Sequence, residues 1–146
     1  MVDSVQLTGS SDANKKLPFL VIRSGDIPRP FLPVTILNPE TNKAIRVYAL
    51  IDTGADECAI PASFAPLLGH NLLAGQLKRI STGNGITIAY SHTTRIVVEG
   101  FSTQDVLVDF MPNLNIPLLG VRSFLGNFIL TVDYPNRQFS LTLPDT

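Results

Sequence analysis

Cysteine is nearly absent from this chain: Cys58 stands alone among 146 residues, which excludes an intrachain disulfide and any zinc site built from cysteines. Beside the motif described below, a lone cysteine reads as a small buried hydrophobe. Tryptophan is missing, and the two histidines, His70 and His92, have no ligand spacing to a Cys, Asp or Glu cluster, so no metal site is expected. Charge is scarce. Lys, Arg, Asp and Glu make up 16% of the residues, and the formal net charge is −1 with no Lys/Arg block, which leaves no electrostatic footprint for nucleic acid or an anionic membrane. The most apolar stretch, 116–132, is broken by Arg122 and Asn127, so no membrane span is expected. No basic segment leads into an apolar core at the start, and a cytoplasmic or otherwise soluble intracellular protein is the expectation. Neither a Gly-x-Ser-x-Gly elbow nor a phosphate loop occurs.

What is present is a chain of 45% hydrophobic residues with positive mean hydropathy, long enough to bury a core without staples. So little charge on so apolar a chain implies that some apolar surface is covered by a partner. Residues 49–56 read Ala-Leu-Ile-Asp-Thr-Gly-Ala-Asp, an apolar strand that stops at a carboxylate and turns through small residues. Asp-Thr-Gly alone is a common turn. After an apolar run it sets Asp52 at the end of a buried strand, where Gly54 lets the backbone approach and donate N–H groups to the carboxylate.

In chain order, residues 1–16 are rich in Ser, Asp, Asn and Lys and predict a mobile arm, with one domain over 17–146. Strands are predicted at 17–23, 31–37 and 43–51, the last two joined by the turn cluster at 38–42. Residues 59–61 are extended, and 62–68 form a short helical segment weakened by Pro66 and ended by Gly69. Strands at 76–81 and 86–94 flank Thr82-Gly83-Asn84-Gly85, a hairpin tip whose central residues call for positive φ. Further strands are expected at 95–99 and 104–110, a short helix at 122–125 closed by Gly126, and a last hairpin joining 128–132 to 138–143. Many short strands with close turn signals predict an all-β, barrel-like fold.

These motifs, in this order, resemble the retropepsin-like aspartic proteases, the single-lobed family that includes retroviral proteases and related cellular and bacterial enzymes. Residues 49–56 resemble its catalytic strand and loop, and 81–90 take the place of its flap hairpin. Ile-Pro-Leu-Leu-Gly at 116–120 is similar to the element that crosses beneath that loop, with a short helix following. The hairpin at 128–143, containing Asp133, is similar to the closing strands of nonviral members. The resemblance covers roughly residues 17–143 and implies a small closed barrel assembled as a homodimer.

The chemistry the resemblance implies needs two adjacent carboxylates sharing one proton, because two like charges so close cannot both ionise. One activates a water and the other polarises the scissile carbonyl. Only Asp52 sits in the motif, so one chain supplies half a site, and an isologous dimer supplies the other half. The family implies that Thr53 bonds across the two-fold axis, that Gly54 and Ala55 leave room in the site, and that Asp56 binds substrate main chain. Gly83, Asn84, Gly85 and Ile86 would cover the peptide as a flap. Ile86, Ile88, Leu118 and Val121 are candidate pocket walls whose simpler reading is core. No cofactor is implied; the partners are a second copy and a peptide or protein substrate. Val121 departs from the family pattern, in which a charged residue follows the Leu-Leu-Gly element directly, so Arg122 is the residue left to pair with Asp56. The competing reading is a catalytically silent dimeric β-domain that binds peptides or proteins. A nucleotide hydrolase of the dUTPase type is of similar length, but its Gly-rich carboxyl-terminal arm is missing here.

Overall fold

The computed structural model describes residues 15–145; apart from Lys15 and Lys16, the expected arm at 1–16 lies outside the described residues. Eleven strands are present: β1 (Leu17–Pro18), β2 (Phe31–Leu37), β3 (Ala44–Ile51), β4 (Ala59–Pro61), β5 (Gln76–Thr82), β6 (Gly85–Val98), β7 (Phe101–Ser102), β8 (Val106–Met111), β9 (Leu118–Leu119), β10 (Ile129–Asp133) and β11 (Gln138–Thr142). Short 3-10 turns at Ala62–Phe64, Pro66–Leu68, Leu72–Ala74 and Leu125–Asn127 are the helical elements among the described residues.

Strand alternation builds the core. Leu32, Val34 and Ile36 of β2 point inward and are buried, as period-two patterning requires. β2 pairs antiparallel with β3, with Leu32 opposite Ala49 and Val34 opposite Val47. Pairing then runs β2-β3-β9-β4-β8-β6, and β6 returns to β2 through Thr35–Val97, Ile36–Ile96 and Leu37–Arg95. The sheet is therefore closed, a six-stranded barrel with its edges removed by pairing. Ile60, Ile96, Val108, Phe110, Leu119 and Phe124 fill it. A second sheet, ordered β1-β11-β10, adds Phe139 and Leu141 to the same core. At its turn, Asp133 accepts bonds from the backbone and side-chain nitrogens of Asn136 at 3.1 and 2.8 Å, which hold its carboxyl below the usual range. Among the described residues no helix is long and apolar enough to cross a membrane.

Several local expectations are corrected. The strand predicted at 17–23 shortens to Leu17–Pro18 on β11; Leu20 instead exchanges backbone bonds with Arg29 at 2.8 and 3.0 Å, and the loop between them turns at Gly25 with φ of 90°. The strands predicted at 86–94 and 95–99 are one strand, β6. Its buried positions include Ala89 and Ser91, then change parity to Thr94, Ile96 and Val98, so two patterns share one continuous backbone. The segment 62–68 is two 3-10 turns, the second opened by Pro66 and closed at Gly69 with φ of 77°. Gly126 lies inside the turn it was expected to close. That turn is wide: Leu125 N–H reaches the Gly120 carbonyl and Gly126 N–H the Val121 carbonyl, at 2.9 and 2.7 Å, while a Cβ on residue 126 would come within 2.9 Å of the Val121 oxygen.

Candidate active site

β3 carries Asp52 to the rim of the barrel. Ile51 is buried at the strand's end, and the Asp52 N–H bonds the Leu119 carbonyl of β9 at 3.1 Å. The turn follows at once: Ala55 N–H returns to the Asp52 carbonyl at 3.1 Å, and Gly54 N–H donates to the Asp52 carboxylate at 3.0 Å. A Cβ on residue 54 would sit 3.4 Å from that carboxylate oxygen, in ordinary van der Waals contact, so the bond itself does not demand glycine.

The chain after β9 passes beneath this loop. Val121 N–H bonds the Ala55 carbonyl at 2.9 Å and Arg122 N–H bonds the Asp56 carbonyl at 2.8 Å. Gly120 sits at the crossing, where a Cβ would come within 2.3 Å of the Glu57 carbonyl oxygen; no side chain fits. Its N–H points at the Cys58 sulfur, 3.3 Å away. Burial pushes the Cys58 thiol up to about 11, so it is an inert packing group at neutral pH.

A cleft of about 530 Å³ opens over the loop, lined by Asp52, Gly54, Ala55, Asp56, Glu57, Ala59, the β5 residues from Lys78 to Thr82, Asp109, Met111, Leu118 and Arg122. The β5–β6 hairpin forms its far wall, in register from Gln76 opposite Ser91 to Thr82 opposite Gly85. Its tip differs from expectation: Gly83 and Asn84 have no positive φ, and the left-handed residue is Gly85 at 109°. The Thr82 hydroxyl closes the tip, accepting from Asn84 N–H at 3.2 Å and donating to the Gly85 carbonyl at 2.9 Å.

Of the site residues read from sequence, Asp52, Gly54, Ala55 and Asp56 line the cleft. Thr53 is exposed beside it, and Gly83, Asn84, Gly85 and Ile86 lie further out on the exposed hairpin. The simpler reading of the candidate walls as core does not hold: Ile86, Ile88 and Val121 are 71%, 44% and 42% exposed, and Leu118 is half-buried at the cleft. Ile86 and Ile88 share a strand face with Tyr90, whereas buried Ala89 and Ser91 occupy the other. Arg122 pairs with Glu57 at 2.9 Å rather than with Asp56, because its backbone N–H, not its guanidinium, is the group that meets residue 56. The Glu57 carboxylate also accepts from Ser123 and holds the Arg122 guanidinium more firmly protonated.

Sequence reasoning missed one cluster. Asp109 is buried on β8 and accepts from Lys78 of β5 at 3.0 and 3.3 Å and from the Ser91 hydroxyl of β6 at 2.8 Å. A carboxylate inside Val-Leu-Val-Asp-Phe-Met was the available signal, since an Asp in a buried strand requires a partner. His70 and His92 also come together, with ring centroids 4.4 Å apart and both rings edge-on to Phe110. His92 Nε2 bonds the Leu72 carbonyl at 2.9 Å.

Closed barrel, carboxylate-tipped strand, crossing glycine and a hairpin walling the cleft define a single-lobed β-protein of the acid-protease type. The chain belongs to the family described as gag-polyprotein putative aspartyl protease, whose model matches residues 37–127, and it is retropepsin-like. A retropepsin-like aspartic protease from Rickettsia conorii is similar in structure, with a TM-score of 0.58 at 23% identity over 85% of this chain and 96% of that one. EIAV protease complexed with the inhibitor HBY-793 gives 0.46 at 21% identity, over 68% and 88%. No curated protein matches the chain.

Proposed function

We propose that this protein is an aspartic endopeptidase that hydrolyses peptide bonds with a water activated by two Asp52 carboxylates, one from each subunit of a homodimer. The observation that carries the reading is the position of Asp52: half-buried at the end of β3, bonded by Gly54 N–H, and facing a cleft walled by the β5–β6 hairpin. Three other carboxylates line the cleft: Asp109 is paired with Lys78 and Glu57 with Arg122, while Asp56 is exposed and in this reading serves the substrate main chain. A second Asp52 across a two-fold axis supplies the carboxylate that shares a proton with the first, and the pair then titrates as a unit. Gly54 and Ala55 keep the floor small, Thr53 joins the two loops, and Asp56 meets the substrate main chain. Gly83, Asn84, Gly85 and Ile86 close over the peptide from the exposed hairpin.

Peptide cleavage measured from about pH 3 to 8, the span over which carboxyl groups and histidine titrate, tests the reading. Acid-favoured cutting is expected, lowered by roughly 10²- to 10⁴-fold or more in Asp52→Ala, and blocked by a statine-type transition-state mimic. Activity that survives Asp52→Ala overturns the assignment. Peptide binding without any cleavage, in wild type and variant alike, establishes the silent binding domain instead.

A further inference from the structure

We infer that Lys78 is a specificity-determining residue that selects a substrate side chain ending in a carboxyl or carboxamide oxygen, glutamine or glutamate. The inference rests on the proteolytic reading and adds a substrate class to it. Lys78 projects from β5 into the same cleft that Asp52 faces. The lining includes apolar groups, Ala59, Ile80, Met111 and Leu118, that accommodate an aliphatic stem, beside polar ones that include Arg79 and Arg122. Arg122 is held by Glu57, and Lys78 is the partner for a substrate tip that is anchored to a buried carboxylate.

That partner is fixed in place from behind. The Asp109 side chain is 5% exposed and the Lys78 side chain 36%. Both Asp109 oxygens receive the ammonium, and one also receives the Ser91 hydroxyl. The carboxylate is thereby largely satisfied and nearly covered. The ammonium has three donors and no acceptor, and it is the more exposed member of a pair whose two residues both line the cleft. Because Asp109 neutralises it, Lys78 acts as an oriented donor more than as a free positive charge. An oxygen at the end of a substrate side chain completes its bonding; a methyl or thioether in the same place leaves the ammonium's remaining N–H groups dry and without an acceptor, which is the costly case.

The test is cleavage of a peptide panel by the full chain, with Gln, Glu, Asn, Asp, Met and Leu placed in turn at each position flanking the scissile bond. Wild type is expected to favour Gln and Glu over Met by about tenfold or more in kcat/KM at one position, the Gln to Glu ratio separating carboxamide from carboxylate. In Lys78→Met/Asp109→Asn, which removes both charges so that no carboxylate is stranded, that ratio falls to about one. In Lys78→Arg, which keeps the ion pair and carries the donor further into the cleft, preference moves toward the shorter Asn and Asp. A purely structural ion pair moves thermal stability in these variants and leaves the ratios alone. No preference for oxygen-ended side chains in wild type, or a preference unchanged in whichever variant folds, overturns the inference while leaving the catalytic reading intact. Absence of any Asp52-dependent cleavage overturns both.

Discussion

Gly120 and Gly83 are both glycines in the candidate site, and their surroundings separate what each contributes. A side chain at residue 120 would meet the Glu57 and Ala55 carbonyl oxygens at 2.3 and 2.9 Å, whereas nothing lies within 4 Å of one at residue 83. Gly120→Ala must push apart the two backbone segments that fix the Asp52 loop, and is expected to cost about 3 kcal/mol or more. Gly83→Ala is expected to change stability by less than about 1 kcal/mol. Urea melts of the two variants check this, and equal midpoints remove Gly120 as the spacer of the crossing. Cys58 gives a second residue-level test: with its thiol pushed up to about 11 by burial, a thiol reagent at pH 8 is expected to label it only as fast as the protein unfolds. Rapid labelling of native protein contradicts its packing. Asp52 and Gly54 were legible in the sequence because they are neighbours in one motif. The Lys78–Asp109 pair was not, because its two members are 31 residues apart: an Asp inside an apolar strand signals that a partner is needed, not which residue supplies it.

At the level of elements, Phe31–Leu37 was read with its observed bounds because its apolar, β-branched run and flanking turn residues agree, and the three-residue Ala59–Pro61 was read as extended. β1 failed since pairing with β11, not its own apolar composition, decides where it stops. The loop from Ala65 to Gly75 has a different logic. Asn38 donates to the Leu68 carbonyl at 2.8 Å and faces His70 Nδ1 at 3.4 Å, tying the β2–β3 turn to this loop. An amide N–H₂ opposite Nδ1 suits a ring nitrogen without a proton. Burial, reinforced by His92 and opposed by Glu40, lowers the His70 pKa from 6.5. The unfolded chain therefore takes up this proton first as the solution is acidified. The loop's contribution is whole above about pH 6.5 and declines as pH falls toward and through the lowered folded value. The expected result is a steeper loss of thermal stability between pH 7 and pH 5 in wild type than in His70→Gln. Parallel profiles contradict the docking role. If cleavage is acid-favoured, the dyad's working range overlaps the range in which this loop loosens, which places the useful window at mild acidity.

For the whole molecule, the barrel closes on itself, while the proposed chemistry needs a second carboxylate. That need was legible from the single Asp-Thr-Gly. How two copies would meet was not, because an interface leaves no periodic trace in one sequence. The second sheet narrows the choice. β11 is paired along its whole length by β10 on one edge, but by β1 only at Gln138 and Phe139 on the other, so among the described residues just the short 140–142 segment of that edge is open. β10 is paired on one side only among the described residues, and Ile129 at its start is 55% exposed, which makes its outer edge the better candidate for adding a strand. Dimer-dependent catalysis has a signature that does not require knowing the interface. When wild type is mixed with Asp52→Asn and allowed to exchange, each wild-type subunit finds a competent partner in proportion to the wild-type fraction. Activity per wild-type chain is then expected to fall to about half at equal amounts and to about a tenth in ninefold excess of the variant. A catalytic unit contained in one chain keeps full activity at every ratio, and that outcome ends the shared-dyad mechanism even if Asp52 itself proves indispensable.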